Sequence, residues 1–513
     1  MKRCLMILVA VAPLATAALD RPVRVESGLL EGVPALTAGV TAFKGIPYAA
    51  PPVGDLRWKA PQPPAAWPVL RNADRFGPAC MQVYLGTGST AFWGDYEFKS
   101  EDCLYVNVWT PAKSPNDKLP VMVWIHGGGF RMGSSSERLH HGDNLALKGV
   151  LLVSFNYRLG VFGFMAHPEL TKESGRNASG NYGLMDQVAA LQWIKRNIAA
   201  FGGDPNRITI FGESAGSGSV SLMQATPLAK GLFTAAIGES GGNFSGRGVR
   251  KLSEGEQSGV AFAESMGAKS LAELRAKPAD DVLKAASRGA AAGPIVDGYV
   301  VPEDVYLIFA KGKQNDVTVL AGSNANEGTT LRAGQPTTLD NAADQAELVK
   351  LYPPGKEAEI TSGGMLWTAN IWARLEAKTG TKKTYEYYYS HHNPYPTNQT
   401  FSDDQGNARD VSQIGAHHSA EIIYVFNNLD IRKGRDWPWQ AWDYKLADMM
   451  SSYWTNFAKT GDPNGAGLPA WPVYSEATGQ VMNFGDSVQA IPLPRKIEVE
   501  FWDKVNLKPY ANK

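Results

Sequence analysis

Two short stretches of this 513-residue chain carry residue types and spacings suited to nucleophilic chemistry. Gly212-Glu213-Ser214-Ala215-Gly216 fits G-x-S-x-G, the pattern that holds a serine on a tight strand-to-helix turn. Earlier in the chain, His126-Gly127-Gly128-Gly129-Phe130 fits H-G-G-G, whose backbone N–H groups can face a developing oxyanion. A hydroxyl nucleophile and a sink for negative charge are the two halves of acyl transfer. Hydrolysis of an ester is the expected use.

The pentapeptide is weak by itself in a chain with 53 glycines, and Gly238-Glu239-Ser240-Gly241-Gly242 fits it as well. Context separates the two. Ser214 follows Arg207-Ile208-Thr209-Ile210-Phe211, a β-branched apolar run that reads as a buried strand, and residues 217–224 then read as a helix. Ser240 also follows a strand-like run, residues 233–237, but enters Gly241-Gly242-Asn243, a poor start for a helix.

The elements that must position these residues alternate along the chain. Residues 119–125 read as a strand that delivers the H-G-G-G turn, and residues 151–157 as another, followed by a helix around 186–200. The strand before Ser214 comes next, then 233–237, then 317–321, which leads into Gly322-Ser323-Asn324-Ala325-Asn326-Glu327-Gly328, and then 385–389. Such alternation predicts a mostly parallel sheet with helices on both faces. In sheets of that kind functional groups gather beyond the carboxyl ends of the strands, where Gly128, Ser214 and Glu327 would fall. Residues 339–377 lack strand periodicity and read as a helical lid or side subdomain.

Composition narrows the partners. Fifty basic residues balance fifty acidic ones with no basic stripe, which argues against nucleic acid. Met1-Lys2-Arg3, an apolar run over residues 5–12 and Ala15-Thr16-Ala17 predict a secretory signal peptide, residues 1–17, cut after Ala17 or Ala18. That run is too short for a stable membrane anchor, and no later segment is long and apolar enough to serve as one. The expected organisation is a single domain over residues 18–513, secreted or periplasmic. Cys4 leaves with the signal, so Cys80 and Cys103 are expected to form a disulfide in an oxidising compartment. No metal-binding motif occurs, and neither a metal nor a cofactor is expected. Oligomeric state and the identity of the ester are not written in the sequence.

At this point the chain resembles the type-B carboxylesterases, the α/β-hydrolase group that includes the cholinesterases. Phe201-Gly202-Gly203-Asp204-Pro205-Asn206-Arg207 running into the Ser214 pentapeptide matches the family's nucleophile signature. Glu101-Asp102-Cys103-Leu104-Tyr105-Val106-Asn107-Val108-Trp109-Thr110-Pro111 matches its second one. Phe155-Asn156-Tyr157-Arg158, Gly180-Asn181-Tyr182-Gly183-Leu184-Met185-Asp186-Gln187 and Trp454-Thr455-Asn456-Phe457-Ala458 extend the likeness over nearly the whole chain.

The resemblance implies an α/β-hydrolase fold with helical lid insertions, and a triad in the order serine, acid, histidine. It places the acid at Glu327, in an N-x-x-E-G turn after a strand. Spacing leaves His391, His392, His417 and His418 open; the resemblance selects His418, three residues before Glu421 and the Tyr424-Val425-Phe426 run. It assigns the oxyanion hole to the N–H groups of Gly128, Gly129 and Ala215. It puts Glu213 beside the pocket, a role no better supported than that of a plain helix-start carboxylate, and gives Ser240 a supporting bond at the acid–histidine end.

Trp93 falls where cholinesterases carry an aromatic against the alcohol part of the substrate, although an ordinary packing role suits a loop tryptophan as well. Arg247 falls where they have an apolar acyl wall. A guanidinium there would suit an acyl part bearing a carboxylate, although an ordinary surface arginine suits the position as well. A lipase for longer acyl chains and a non-catalytic, neuroligin-like binding protein are the alternatives. The presence of Ser214, Glu327, His418 and the three glycines together favours the enzyme. With an ordinary histidine as base, activity is expected to fall on the acid side with a half-point about 6.5.

Overall fold

The run Leu119–Ile125 is buried along almost its full length and has no charged residue, so it can only be the interior strand of a sheet covered on both sides. Its side chains alternate between two cores. Val121, Val123 and Ile125 pack with Leu184, Leu191 and Val220, whereas Met122 and Trp124 pack with Leu446, Met450 and Trp454. The first set lies on helices Tyr182–Asn197 and Ala215–Ala225, the second on helix Ala441–Thr460. Helices therefore cover both faces, as expected. These are features of a computed structural model that describes residues 19, 22–83, 98–245, 250–286, 293–331, 337–396, 401–402, 408–432 and 437–511.

Among the described residues the central sheet has eleven strands. From one edge they run Val33–Pro34, Thr41–Pro47, Tyr105–Thr110, Leu151–Phe155, Leu119–Ile125, Gly203–Glu213, Ala235–Glu239, Thr318–Asn324, Thr384–Tyr389, Gln480–Phe484 and Val488–Pro492. Pairings from Leu151–Phe155 through Gln480–Phe484 are all parallel. Both margins are antiparallel, and the sequence reading did not assign those strands. Antiparallel partners need no crossover helix, so these strands show no β-α-β rhythm.

The chain enters the parallel region at Leu119–Ile125, steps to Leu151–Phe155 on one side, then crosses to Gly203–Glu213 on the other. That reversal opens a crevice beyond the carboxyl ends of the two strands that carry the H-G-G-G and G-x-S-x-G motifs. The stretch read as a lid contains helices Ala342–Leu351 and Glu357–Thr379 and no strand. The longer helix buries Leu366, Trp367, Ile371 and Trp372 against the core that lies under the helix following Ser214. Among the described residues no helix is long and apolar enough to cross a membrane.

Cys80 and Cys103 are joined by a disulfide. Beside it, Arg57 grips Glu101 through two charge-assisted hydrogen bonds. Arg57 thus anchors one end of the disulfide loop from outside it, and the short strands Ala79–Cys80 and Lys99–Ser100 pair across its two ends. Residues 84–97 between them lie outside the described residues, as does the expected signal peptide.

Candidate active site

Strand Gly203–Glu213 passes into helix Ala215–Ala225 through one residue, Ser214, whose φ of 58° and ψ of −121° are strained for any side chain. From Phe211 to Ala225 every other residue is buried; Ser214 alone is partly exposed. The flanking glycines explain how so sharp a turn packs. A Cβ on Gly212 would lie 2.5 Å from the Ile125 carbonyl oxygen, and one on Gly216 only 2.0 Å from it. Both glycines of the pentapeptide therefore press against the residue that precedes His126. A Cβ on Gly127 would in turn sit 2.7 Å from the Glu213 carbonyl and 3.1 Å from Ser214 Cβ. The two motifs form one packed unit.

The H-G-G-G turn is itself bent by left-handed residues: Gly128 at φ 96°, Gly129 at 63° and Phe130 at 59°. His126 stacks on Tyr157 with ring centroids 4.5 Å apart, and Tyr157 donates its hydroxyl to the His126 carbonyl. Burial drives His126 down to about 4, so the ring is neutral. No hydrogen bond to another described residue engages the N–H of Gly128 or Gly129. Ala215 begins the helix, so its N–H is among those a helix leaves unpaired.

Strand Thr318–Asn324 ends in a turn that carries Glu327, fully buried. Glu327 Oε1 accepts the backbone N–H of Asn324 at 2.7 Å, and Oε2 meets His418 Nδ1 at 2.6 Å. Asn324 and Asn326 lock the histidine loop to this turn. The Asn324 amide donates to the His417 carbonyl, Asn326 N–H donates to the Ala416 carbonyl, and Ala416 N–H donates back to Asn326 Oδ1. Of the four open histidines, His418 is thus the one that meets Glu327. His391 bonds Asp443 and Asp486 instead, and His417 is held by Tyr395 and by the His418 carbonyl.

The other ring nitrogen, His418 Nε2, lies 3.1 Å from Glu213 Oε1. Glu213 is the last residue of the strand before Ser214, so Nε2 is directed at the elbow. Glu213 is buried, and its Oε1 also accepts the Ser419 hydroxyl at 2.7 Å. It faces the imidazole rather than capping a helix. Burial pushes Glu213 up to about 7, with the His418 charge and the Ser419 hydrogen bond opposing the rise. Burial disfavours the imidazolium of His418, but Glu213 and Glu327 outweigh it and raise the group to about 9. An ordinary histidine value does not describe this ring.

Two further carboxylates lie just beneath. Glu421 bonds the Ser240 hydroxyl at 3.3 Å and the Asn324 amide, and burial raises it to about 8. Glu239 accepts Trp454 Nε1 at 2.8 Å and is raised by burial and by Glu421. Ser240 has a φ of 55°, close to that of Ser214, but it is fully buried. Its hydroxyl reaches Glu421, not Glu327, so its contact with the acid–histidine end is indirect. Trp93 and Arg247 lie outside the described residues. Ser419, Asn324 and Glu421 were not given roles from sequence. Their only signal was adjacency to the histidine and to the N-x-x-E turn.

A mostly parallel sheet with a serine elbow at its reversal point and an acid–histidine pair on neighbouring loops is an α/β-hydrolase. More narrowly, the chain belongs to the carboxylesterase family, which it matches over residues 20–354 and 356–502. It is 37% identical over 493 residues to a fumonisin B1 esterase of Sphingopyxis macrogoltabida, covering 90% of this chain and 86% of that protein. It is 35% identical to the para-nitrobenzyl esterase of Bacillus subtilis (strain 168), covering 86% and 91%. A mouse cholinesterase is 33% identical, covering 94% and 86%. A solved PNB esterase superposes with a TM-score of 0.81 at 32% identity, over 94% of this chain and 99% of that one. This protein is a carboxylic ester hydrolase.

Proposed function

We propose that this enzyme hydrolyses small-molecule carboxylic esters through an acyl-enzyme on Ser214, with His418 as general base and Glu327 as its orienting acid. Ser214 Oγ attacks the ester carbonyl while Nε2 of His418 takes its proton. The carbonyl oxygen becomes an oxyanion held by the N–H groups of Gly128, Gly129 and Ala215. Collapse of this intermediate expels the alcohol, which leaves with the proton from Nε2. Water then attacks the acyl-enzyme by the same route and frees the acid.

The observation that carries the reading is the Glu327–His418 hydrogen bond, which directs Nε2 toward the turn where Ser214 alone is exposed. The N–H groups of Gly128 and Gly129, engaged by no other described residue, support the oxyanion assignment. The basic-apolar-small pattern of residues 1–17 and the Cys80–Cys103 bond support export to an oxidising compartment.

Ser214→Ala tests the centre of this reading. It should lower kcat by about a millionfold, abolish labelling by a sulfonyl fluoride, and leave the circular dichroism spectrum unchanged. Ser240→Ala, which removes only the bond to Glu421, should fall far short of that loss. An active Ser214→Ala beside a dead Ser240→Ala would overturn the assignment.

A further inference from the structure

We propose that Ser419 is a positioning residue that governs when His418 is free to serve Ser214, by holding the Glu213 carboxylate against the imidazole Nε2. The inference rests on the catalytic reading above. Three observations carry it.

The first is the backbone. Ser419 has a φ of 67°, in the left-handed region that suits glycine, yet it carries a side chain and uses it. The second is the contact itself: the Ser419 hydroxyl donates to Glu213 Oε1 at 2.7 Å, the same oxygen that lies 3.1 Å from Nε2. One carboxylate oxygen therefore faces two consecutive residues, the Ser419 hydroxyl as a donor throughout and Nε2 as a donor whenever the ring is protonated. The third is burial. Glu213, His418 and Ser419 are all buried, so neither water nor a distant ion substitutes for a lost hydroxyl.

Nε2 is the atom that must take the Ser214 proton, and in this structure it faces Glu213. A charged Glu213 stabilises the imidazolium and so delays the return of the neutral base. The hydroxyl favours that charge, because a hydrogen bond to a carboxylate stabilises its ionised form. The bond also has a use in turnover. The imidazolium formed at each step must last until it protonates the leaving group, and a pinned carboxylate beside it provides that stabilisation.

Several other groups act on this pair and stay in place when Ser419 is changed. Glu327 sits on Nδ1, Glu421 acts from the turn that precedes helix Ile422–Val425, and Glu239 acts on Glu213 from the end of the neighbouring strand. Tyr387 lies against Glu421, and His417 is engaged with Tyr395 and the His418 carbonyl. Removing the Ser419 hydroxyl changes only the Glu213 contact. Glu213 then protonates more readily, His418 loses charge support, and the neutral base persists to lower pH.

The test is the acid limb of kcat/KM for a chromogenic soluble ester, which reports the free enzyme's groups. It is measured in wild type, Ser419→Ala, Ser419→Gly, Glu213→Gln and the Glu213→Gln/Ser419→Ala double variant. Ser419→Ala should move the half-point down by about half a pH unit, so that activity at the foot of the limb rises about threefold relative to the plateau. Ser419→Gly, which relieves the backbone, should move it equally. Glu213→Gln should move it further, and adding Ser419→Ala to that background should move it no more. A half-point that stays put in both single Ser419 variants overturns the proposal, as does an equal shift in the absence of Glu213. A merely structural Ser419 would lower stability or kcat without moving the limb. Failure of the catalytic reading would be seen separately, as turnover surviving Ser214→Ala.

Discussion

The histidine at the centre of the site meets a carboxylate at both ring nitrogens, and the two contacts differ in what they do. The Nδ1 bond to Glu327 fixes the tautomer. Glu327 Oε1 is already committed to the Asn324 N–H, so only Oε2 remains to accept the imidazole N–H. Glu327→Gln would keep the Asn324 bond through its carbonyl oxygen and turn its amide toward Nδ1. An amide donates there, so Nδ1 becomes an acceptor and the proton moves to Nε2, where it blocks attack by Ser214. We expect kcat to fall by about ten thousandfold, the size seen when a triad acid is made an amide, with thermal stability little changed. A loss under tenfold would remove Glu327 from the triad. The turn at Ser214 was legible from its strand and helix context, and the Glu327–His418 contact only through the family resemblance, since spacing left four histidines open. The acidity of the ring was not. The expected half-point about 6.5 is the unperturbed histidine value, whereas Glu213 meets Nε2 from a strand more than two hundred residues away in sequence.

At the scale of elements, the parallel strands were legible because each is a buried run bounded by turn residues, but the carboxyl ends of the three that surround the site were read short. The strand expected over 317–321 runs Thr318–Asn324, and the one expected over 233–237 runs Ala235–Glu239. Backbone pairing, not side-chain pattern, extends them: Gly322, Ser323 and Asn324 pair with Tyr387, Tyr388 and Tyr389. Those extra residues carry the site. They bring Asn324 and Glu239 to the level of Glu213, which pairs directly with Glu239. The two serines in G-x-S-x-G settings are likewise alike as backbone and different as elements. Only Ser214 is followed by a helix, and only there do glycines clamp strand, helix and oxyanion turn together. Gly216→Ala tests the clamp. Its methyl group would lie 2.0 Å from the Ile125 carbonyl, a backbone atom that cannot rotate away. The variant should lose at least a hundredfold in kcat, as for loss of one oxyanion donor, because the turn at His126 is pushed off the elbow. It should also be destabilised by about 1–3 kcal/mol, the usual cost of overpacking. Wild-type kcat in a folded Gly216→Ala would show that the two motifs are not coupled through Ile125.

Across the whole molecule, acidic and basic residues balance in number, but composition does not reveal that a group of the acids is buried. Glu376 and Glu386 are each raised to about 8 by burial. A group held above its ordinary carboxylate value binds a proton in the folded state that the unfolded chain has released. Its contribution to stability is full below about 4.5 and is lost as pH rises through about 8. The fold should therefore weaken on the alkaline side even while His418 becomes a better base there. Glu376 isolates the effect, since it touches no residue of the site. Its Oε1 accepts the Gln224 amide at 2.9 Å, and Gln314 lies beside Oε2 with its own Oε1 left without a partner among the described residues. A protonated carboxyl can serve such an acceptor, and a glutamine in its place can do the same without ever ionising. Glu376→Gln should match wild type in melting temperature near pH 5 and exceed it near pH 8.5. The gain should be on the order of 2 kcal/mol, or about 2 °C for a chain this long. Parallel melting curves at every pH would show that Glu376 is not protonated in the fold, and the alkaline weakening would then have to arise elsewhere.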